Sequence, residues 1–117
     1  MNLVVSTDDS KSILGILDGA IHKYDYVTPF LFSTLLDVAI YSYIRGKGVK
    51  VDGVHQHKKR DEVALQIADT LWEYATDDPK YVWFVEWMKR LDKAIAEREI
   101  KPSQSIAILV SVYLIKS

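Results

Sequence analysis

The sequence predicts an all-α fold, a compact bundle of about five helices with a short basic β-hairpin between helices 2 and 3. Three observations lead to this prediction. Apolar residues recur at helical spacing in several segments, capping residues precede some of those segments, and one segment is apolar almost all the way round. A helix of that last kind has to be wrapped by other helices.

Length and composition indicate one globular domain, so we expect residues 1–117 to form a single helical domain. The chain has no cysteine, which excludes disulfides and zinc sites built on sulfur. Its first residues lack the basic start of a secretory signal. The longest apolar run, residues 106–115 and broken by Ser111, is shorter than the roughly 20 residues that cross a bilayer. We therefore expect a cytoplasmic protein that makes no membrane contact.

The first helix is expected from about Asp8 to Tyr24, with acidic residues in its first turn. Gly15 and Gly19 lie one turn apart inside it, and each lowers helix stability by roughly 1 kcal/mol relative to alanine. Two such glycines on one side indicate that another backbone comes close there. We expect that backbone to be the second helix, with a ligand against the glycines as the alternative.

The second helix is the predicted centre of the bundle. Eleven of the fifteen residues between Phe30 and Ile44 are apolar. Thr28 suits the N-cap position, Pro29 the first helical residue, and Gly46 the residue just beyond the end. The short connection before it predicts an antiparallel pair with the first helix.

Residues 49–57 match a two-residue hairpin, with Asp52-Gly53 at the turn and Val54 to His57 as the second strand. Side chains alternate across a strand, so the valines share one side. Lys50, His55 and His57 then share the other side, which we expect to face outward.

Three further helices complete the prediction. The third runs from about Lys59 to Ala75, and the fourth from about Pro79 to Glu97 behind an acidic cap. The last segment, residues 103–117, fits a buried helix or a buried strand by composition. We favour a helix because the chain offers no other strong strand to pair with it.

Charge is unevenly distributed. Residues 45–60, here called the basic segment, hold six cations and one acid, a net +5, so the rest of the chain sums to −6. Lysine and arginine contacts to phosphate give affinity that weakens as salt rises. We predict nucleic-acid binding through this segment, with little sequence reading; a solvated loop with no ligand is the alternative. The predicted contact residues are Arg45, Lys47, Lys50, His55, His57, Lys58, Lys59 and Arg60.

The two histidines of the basic segment also have the spacing of a metal-binding pair on a strand. A third ligand is missing, and Lys58, Lys59 and Arg60 repel a divalent cation. We therefore predict no metal site and no cofactor. Protonation of the histidines below neutral pH adds positive charge, which predicts tighter nucleic-acid binding in mild acid.

Trp83 and Trp87 lie one turn apart on the fourth helix and widen its apolar side. Core packing accounts for most large aromatics. Surplus apolar width also suits a protein partner or a homodimer, and this is the second functional hypothesis.

Catalysis finds little support in the sequence. The chain has no nucleophile elbow, no phosphate-binding loop and no dinucleotide fingerprint. Asp18 and His22 are one turn apart, which a surface contact explains as well as an acid–base pair does. We therefore predict a protein that is not an enzyme and has no catalytic residues.

Overall fold

A computed structural model describes residues 7–47 and 56–116, and these residues form five α-helices and one 3₁₀ turn. The predicted helical bundle is confirmed for this part of the chain. The elements are α1 (Thr7–Ile21), α2 (Pro29–Gly46), α3 (Gln56–Asp77), the 3₁₀ turn (Pro79–Tyr81), α4 (Val82–Ala96) and α5 (Gln104–Lys116).

Helix α2 lies at the centre because most of its sides are apolar, although Phe30, Thr34 and Val38 remain exposed on one side. Eight of its residues are buried, and it packs against each of the other four helices. The Thr28 hydroxyl accepts a hydrogen bond of 3.1 Å from the Leu31 amide, as an N-cap residue should. Gly46 is the last helical residue rather than the one beyond it, and Lys47 occupies the C-cap position.

The ends of the helices show their relative directions. The Lys47 ammonium lies 3.1 Å from the Asp9 carboxylate, so α2 ends where α1 begins and the two are antiparallel, as predicted. Ser10 of α1 contacts Thr70 of α3 at 3.0 Å. Arg60 near the start of α3 lies 3.4 Å from Asp37 in the middle of α2. Helix α3 therefore runs in the same general direction as α2.

Helix α5 lies beside α3 and runs parallel to it. Ser105 at its start bonds Asp61, and Tyr113 near its end meets the Trp72 ring edge-on at 5.0 Å. The sequence of this segment is apolar on nearly every side, so its composition fitted a buried helix or a buried strand. The helix that we favoured is confirmed. The hydroxyl of Ser103 accepts a hydrogen bond of 3.2 Å from the Ile106 amide, and this bond caps the start of the helix.

The predicted hairpin needs correction. Residues 48–55, with most of its two strands and its turn, lie outside the described residues. Gln56 and His57, placed at the end of the second strand, are the first residues of α3. The physical reason is that glutamine, lysine and arginine are good helix formers, so α3 starts about one turn earlier than its apolar pattern indicated.

The prediction that the two glycines of α1 pack against the second helix is also wrong. Gly15 and Gly19 are exposed, and a methyl group built on either one meets no atom of the described residues within 4 Å. Helix α1 instead packs on α2 and α3 through Ile13, Leu14 and Leu17, all fully buried. The glycines lie on the opposite side of the helix from these residues.

Candidate functional site

The cations of the basic segment lie in two groups on the bundle. Arg45 and Lys47 are at the end of α2, while Lys58, Lys59 and Arg60 are in the first turns of α3. Arg60 lies beside Asp37, which is in the middle of α2. Asp37 is eight residues before Arg45, which is about 12 Å along a helix. The structure therefore separates the described cations instead of gathering them on one projection.

The α2 group is partly neutralised. Lys47 is half exposed and forms its ion pair with Asp9, whose side chain is buried. The same ammonium lies 5.6 Å from the centre of the Tyr43 ring. Arg45 is exposed, and its guanidinium lies 5.9 Å from the Tyr41 ring within its own helix. Arg45 is the member of this group that is best placed to meet a ligand.

The α3 group divides in the same way. Lys58 is exposed, and Lys59 lies 3.3 Å from Glu62 one turn later. Arg60, with 9% of its surface exposed, lies inside the bundle. Of the two predicted histidines, His55 lies outside the described residues, and His57 is placed only as a helical position. Lys50 is also outside the described part.

Arg60 belongs to a cluster of polar side chains that joins three helices, here called the polar cluster. Its Nε lies 3.4 Å from the Asp37 carboxylate and donates to the Ser105 hydroxyl at 3.4 Å. Ser105 in turn donates to Asp61 at 2.6 Å, and Ser103 donates to Asp37 at 3.1 Å. Each carboxylate thus receives at least one hydrogen bond or cation, as burial of charge requires.

Sequence reasoning missed the polar cluster, although one signal was present. Asp37 is the single charged residue between Phe30 and Ile44 in an otherwise apolar helix. A charge in such a position needs a partner from another element. The sequence does not say which of the fifteen basic residues supplies it.

A cleft of about 280 Å³ lies between α1 and α2, close to the ion pair of Lys47 and Asp9. Its lining residues are Ser12, Ile16, Ser42, Tyr43, Gly46 and Lys47. Burial, followed by the nearby Asp9 carboxylate, raises the pKa of Tyr43 to about 12. In the described part of the chain, no group pairs with its hydroxyl in normal hydrogen-bonding geometry.

The two tryptophans are half-buried and packed on the core. Trp87 stacks on Phe32 at 5.3 Å, and the Arg90 guanidinium covers it at 4.6 Å from the ring centre. Trp83 meets Phe84 edge-on at 6.0 Å. These contacts account for most of the apolar width that the sequence showed on α4.

The remaining candidate groups are simple surface contacts. His22 and Asp18 form an exposed contact one turn apart, with 3.3 Å between Nδ1 and Oδ1.

Within residues 7–47 and 56–116, no three histidine, aspartate or glutamate side chains are grouped to hold a metal ion. None of the helices in these ranges combines the length and apolar character needed to cross a bilayer.

Comparison of the chain with protein-family models, with curated proteins and with solved structures finds no match. Function therefore has to be argued from the residues themselves.

Proposed function

We propose that the protein is a small non-enzymatic nucleic-acid-binding or accessory protein that contacts the phosphate backbone through the basic segment. The observation that carries the proposal is the concentration of charge, +5 over residues 45–60 in a chain that sums to −1. Such a segment attracts a polyanion from a distance and holds it without reading bases.

Arg45 and Lys58 are the principal contacts in this proposal because both are exposed. Measured along the axis of α2, the ends of the two groups are about 12 Å apart. This distance corresponds to roughly three to four nucleotides along one strand of a duplex, at about 3.4 Å for each nucleotide. Lys47 and Lys59 are secondary contacts, since each shares its charge with a carboxylate. Lys50, His55 and His57 remain part of the proposed surface.

Arg60 is no longer among the proposed contact residues. A phosphate would have to compete with Asp37 and Ser105 for a buried guanidinium. Breaking the pair separates a buried guanidinium from a partly buried carboxylate, which is unfavourable.

The test is fluorescence anisotropy with labelled single- and double-stranded DNA and RNA at several salt concentrations. We expect the double variant Arg45→Glu with Lys58→Glu to lower affinity at least tenfold. The slope of log K against log salt should fall by about 2, because each lost phosphate contact removes about 1.

The matched control is Lys93→Glu with Lys101→Glu, two exposed lysines outside the basic segment. It changes the net charge by the same amount, so it separates the placement of charge from its total. Equal losses in both double variants, or no binding by the original chain at low salt, would reject the proposal.

The second candidate is a protein–protein interaction module or homodimer that uses Trp83 and Trp87. The observation in its favour is that both rings are only partly buried. It predicts that Trp83→Ala with Trp87→Ala turns a dimer or complex into a monomer in light scattering. Under this hypothesis the glutamate variants of Arg45 and Lys58 have no effect on assembly.

A further inference from the structure

One side of helix α2 is largely apolar and still faces solvent. An α-helix turns by 100° per residue, so the five members of this side lie within about 80° of one another around the axis. At least half of the surface of Phe30 and of Val38 is exposed, and Tyr41 is half-buried. The members, here called the outer side of α2, are Phe30, Thr34, Val38, Tyr41 and Arg45.

Exposed aromatic rings gather at the start of this outer side. Among the residues that the structure describes, the aromatic side chains with the largest exposed fractions are Tyr26 at 79%, Phe30 at 66% and Tyr24 at 48%. The other aromatic side chains of this part are buried or half-buried. A single exposed apolar residue is common and needs no explanation. Three rings within seven consecutive positions, next to an apolar helix side, indicate a surface that meets a partner.

The nearby cations select the kind of partner. Arg45 belongs to the outer side itself, and its guanidinium lies 5.9 Å from the centre of the Tyr41 ring. Lys58 and Lys59 are in the first turn of α3, which the polar cluster holds against the middle of α2. Cations therefore lie at the end of the outer side and on the helix that packs beside its middle. This charge is complementary to phosphate.

The acids of the same region do not cancel this charge. Residues 23–60 hold seven cations and three acids, a net +4. Asp37, at the edge of the outer side, is paired with Arg60 and accepts a hydrogen bond from Ser103. Asp25 lies between the two exposed tyrosines, with Lys23 two positions earlier. The outer side itself contains a cation and no carboxylate.

We infer that the outer side of α2, together with Tyr26, is a stacking surface for unpaired bases, so that the nucleic acid of the proposed function is single-stranded. Proteins that hold single strands without sequence preference combine a positively charged track for phosphates with aromatic rings on which bases stack. Both parts are present here. In a duplex the bases are paired and stacked on one another, so their faces do not reach an exposed ring. This inference rests on the proposed function.

The dimensions of the surface fit a short strand. Phe30 and Tyr41 are eleven residues apart, about 16 Å along the helix, and Arg45 lies about 6 Å further on. Tyr26 and Phe30 receive bases at one end, and Val38 forms an apolar floor between them and Tyr41. Arg45 then meets the phosphate next to the last stacked base. A strand of roughly four nucleotides, the lower end of the site sizes of single-strand-binding modules, spans this surface.

The first test compares probes that differ in their bases. It measures the fluorescence anisotropy of a labelled oligothymidylate of about 12 nucleotides, of an abasic strand of the same length and of the duplex with oligoadenylate. We expect the oligothymidylate to bind at least tenfold more tightly than the abasic strand, since one stacked base contributes about tenfold, and more tightly than the duplex. Equal affinities for all three would overturn the inference and leave the proposed function standing. No binding of any probe at low salt would reject both.

The second test changes the rings and keeps the charge. Tyr26→Leu with Phe30→Leu leaves both positions apolar but removes the rings, and we expect the affinity for oligothymidylate to fall at least tenfold. The matched control exchanges the rings, Tyr26→Phe with Phe30→Tyr, and should bind within about twofold of the original chain. Both positions are exposed, so far-UV circular dichroism should show the fold retained. Equal affinities of the two double variants would overturn the inference.

Salt dependence separates this inference from the proposed function. The leucine variant has the charge of the original chain, so its slope of log K against log salt should not change. Arg45→Glu with Lys58→Glu should lower that slope by about 2. Loss of affinity in the charge variant alone would keep the proposed function and reject the stacking surface. Loss in the leucine variant alone would keep the stacking surface and reject the proposed phosphate contacts.

The third test locates the bases on the protein. Ultraviolet irradiation of the complex with a strand that contains iodinated uracil links bases to the aromatic side chains that they touch, and mass spectrometry identifies the linked residues. We expect links to Tyr26, Phe30 or Tyr41. Links confined to Trp83 or Trp87 on α4 would overturn the inference.

Discussion

Arg45 and Arg60 are the two arginines of one basic segment, and they lie in opposite environments. Arg45 is exposed at the end of α2, where its nearest described aromatic partner is a tyrosine of its own helix. Arg60 is buried, and it holds carboxylate and hydroxyl groups from α2 and α5. The difference lies in the neighbouring elements, not in the residue type or the local charge. A run of cations in a sequence can therefore serve a surface and a core at once.

The largest effect expected from this comparison is on stability. Arg60→Leu removes the Arg60 guanidinium from the partly buried Asp37 carboxylate, and we expect the free energy of unfolding to fall by about 3 kcal/mol. Urea denaturation measures the change. The matched control is Lys58→Leu, an exposed residue two positions earlier, which should change stability by no more than about 0.5 kcal/mol.

Removing both partners sharpens this test. Asp37→Leu with Arg60→Leu should recover part of the loss, since apolar replacement of a whole buried pair is often tolerated. A single Arg60→Leu variant as stable as Lys58→Leu would show that the polar cluster contributes little.

The next effect concerns the buried side chain of Tyr43, which lies beside the ion pair of Lys47 and Asp9. Its pKa is raised from 10.0 to about 12 in the folded chain, so the folded state holds the phenolic proton more tightly than the unfolded state. This contribution is complete below pH 10 and is lost as pH rises from 10 to 12. Its size is on the order of 3 kcal/mol, from the pKa difference at about 1.4 kcal/mol for each pKa unit.

The measurement is thermal unfolding between pH 9 and pH 12 for the original chain and for Tyr43→Phe, a range set by those two pKa values. The pKa of Tyr74 is also raised, with burial as the first cause, so the original chain has a second source of alkaline sensitivity. The difference between the two proteins isolates Tyr43. Identical pH dependence in both would contradict this assignment.

The smallest expected effect on stability is that of the exposed residue in the comparison, Arg45. Arg45→Ala should change the free energy of unfolding by no more than about 0.5 kcal/mol, because a contact with a ring on an exposed surface contributes little. Urea denaturation checks this value alongside the Arg60 variants. A loss as large as that of Arg60→Leu would mean that Arg45 has a structural role and would weaken its assignment as a ligand contact.

The sequence predicted the helices well where local signals determine them. Thr28 and Pro29 mark the start of α2, and the apolar composition of this helix places it at the centre of the bundle. Such signals depend on residues only a few positions apart. The start of α3 was missed because residues 56–58 carry no apolar periodicity, although they are good helix formers.

The arrangement of the candidate site depends on contacts between distant residues, which local patterns do not contain. Arg60 looks like part of a solvated charge run in the sequence. Its burial depends on Asp37, 23 positions earlier, and Ser105, 45 positions later. The glycines of α1 show the same limit, since their spacing predicted a close approach by the second helix that the described residues do not make.

The polar cluster also has a consequence for the order of folding. Ser103 and Ser105, at the start of α5, donate to Asp37 and Asp61, which are synthesised 66 and 44 positions earlier, respectively. Until the ribosome has released residues 103–105, both carboxylates lack these hydroxyl partners. We therefore expect a nascent chain that stops before α5 to stay loosely packed and open to proteases, and to lock into its final form only when the last helix arrives.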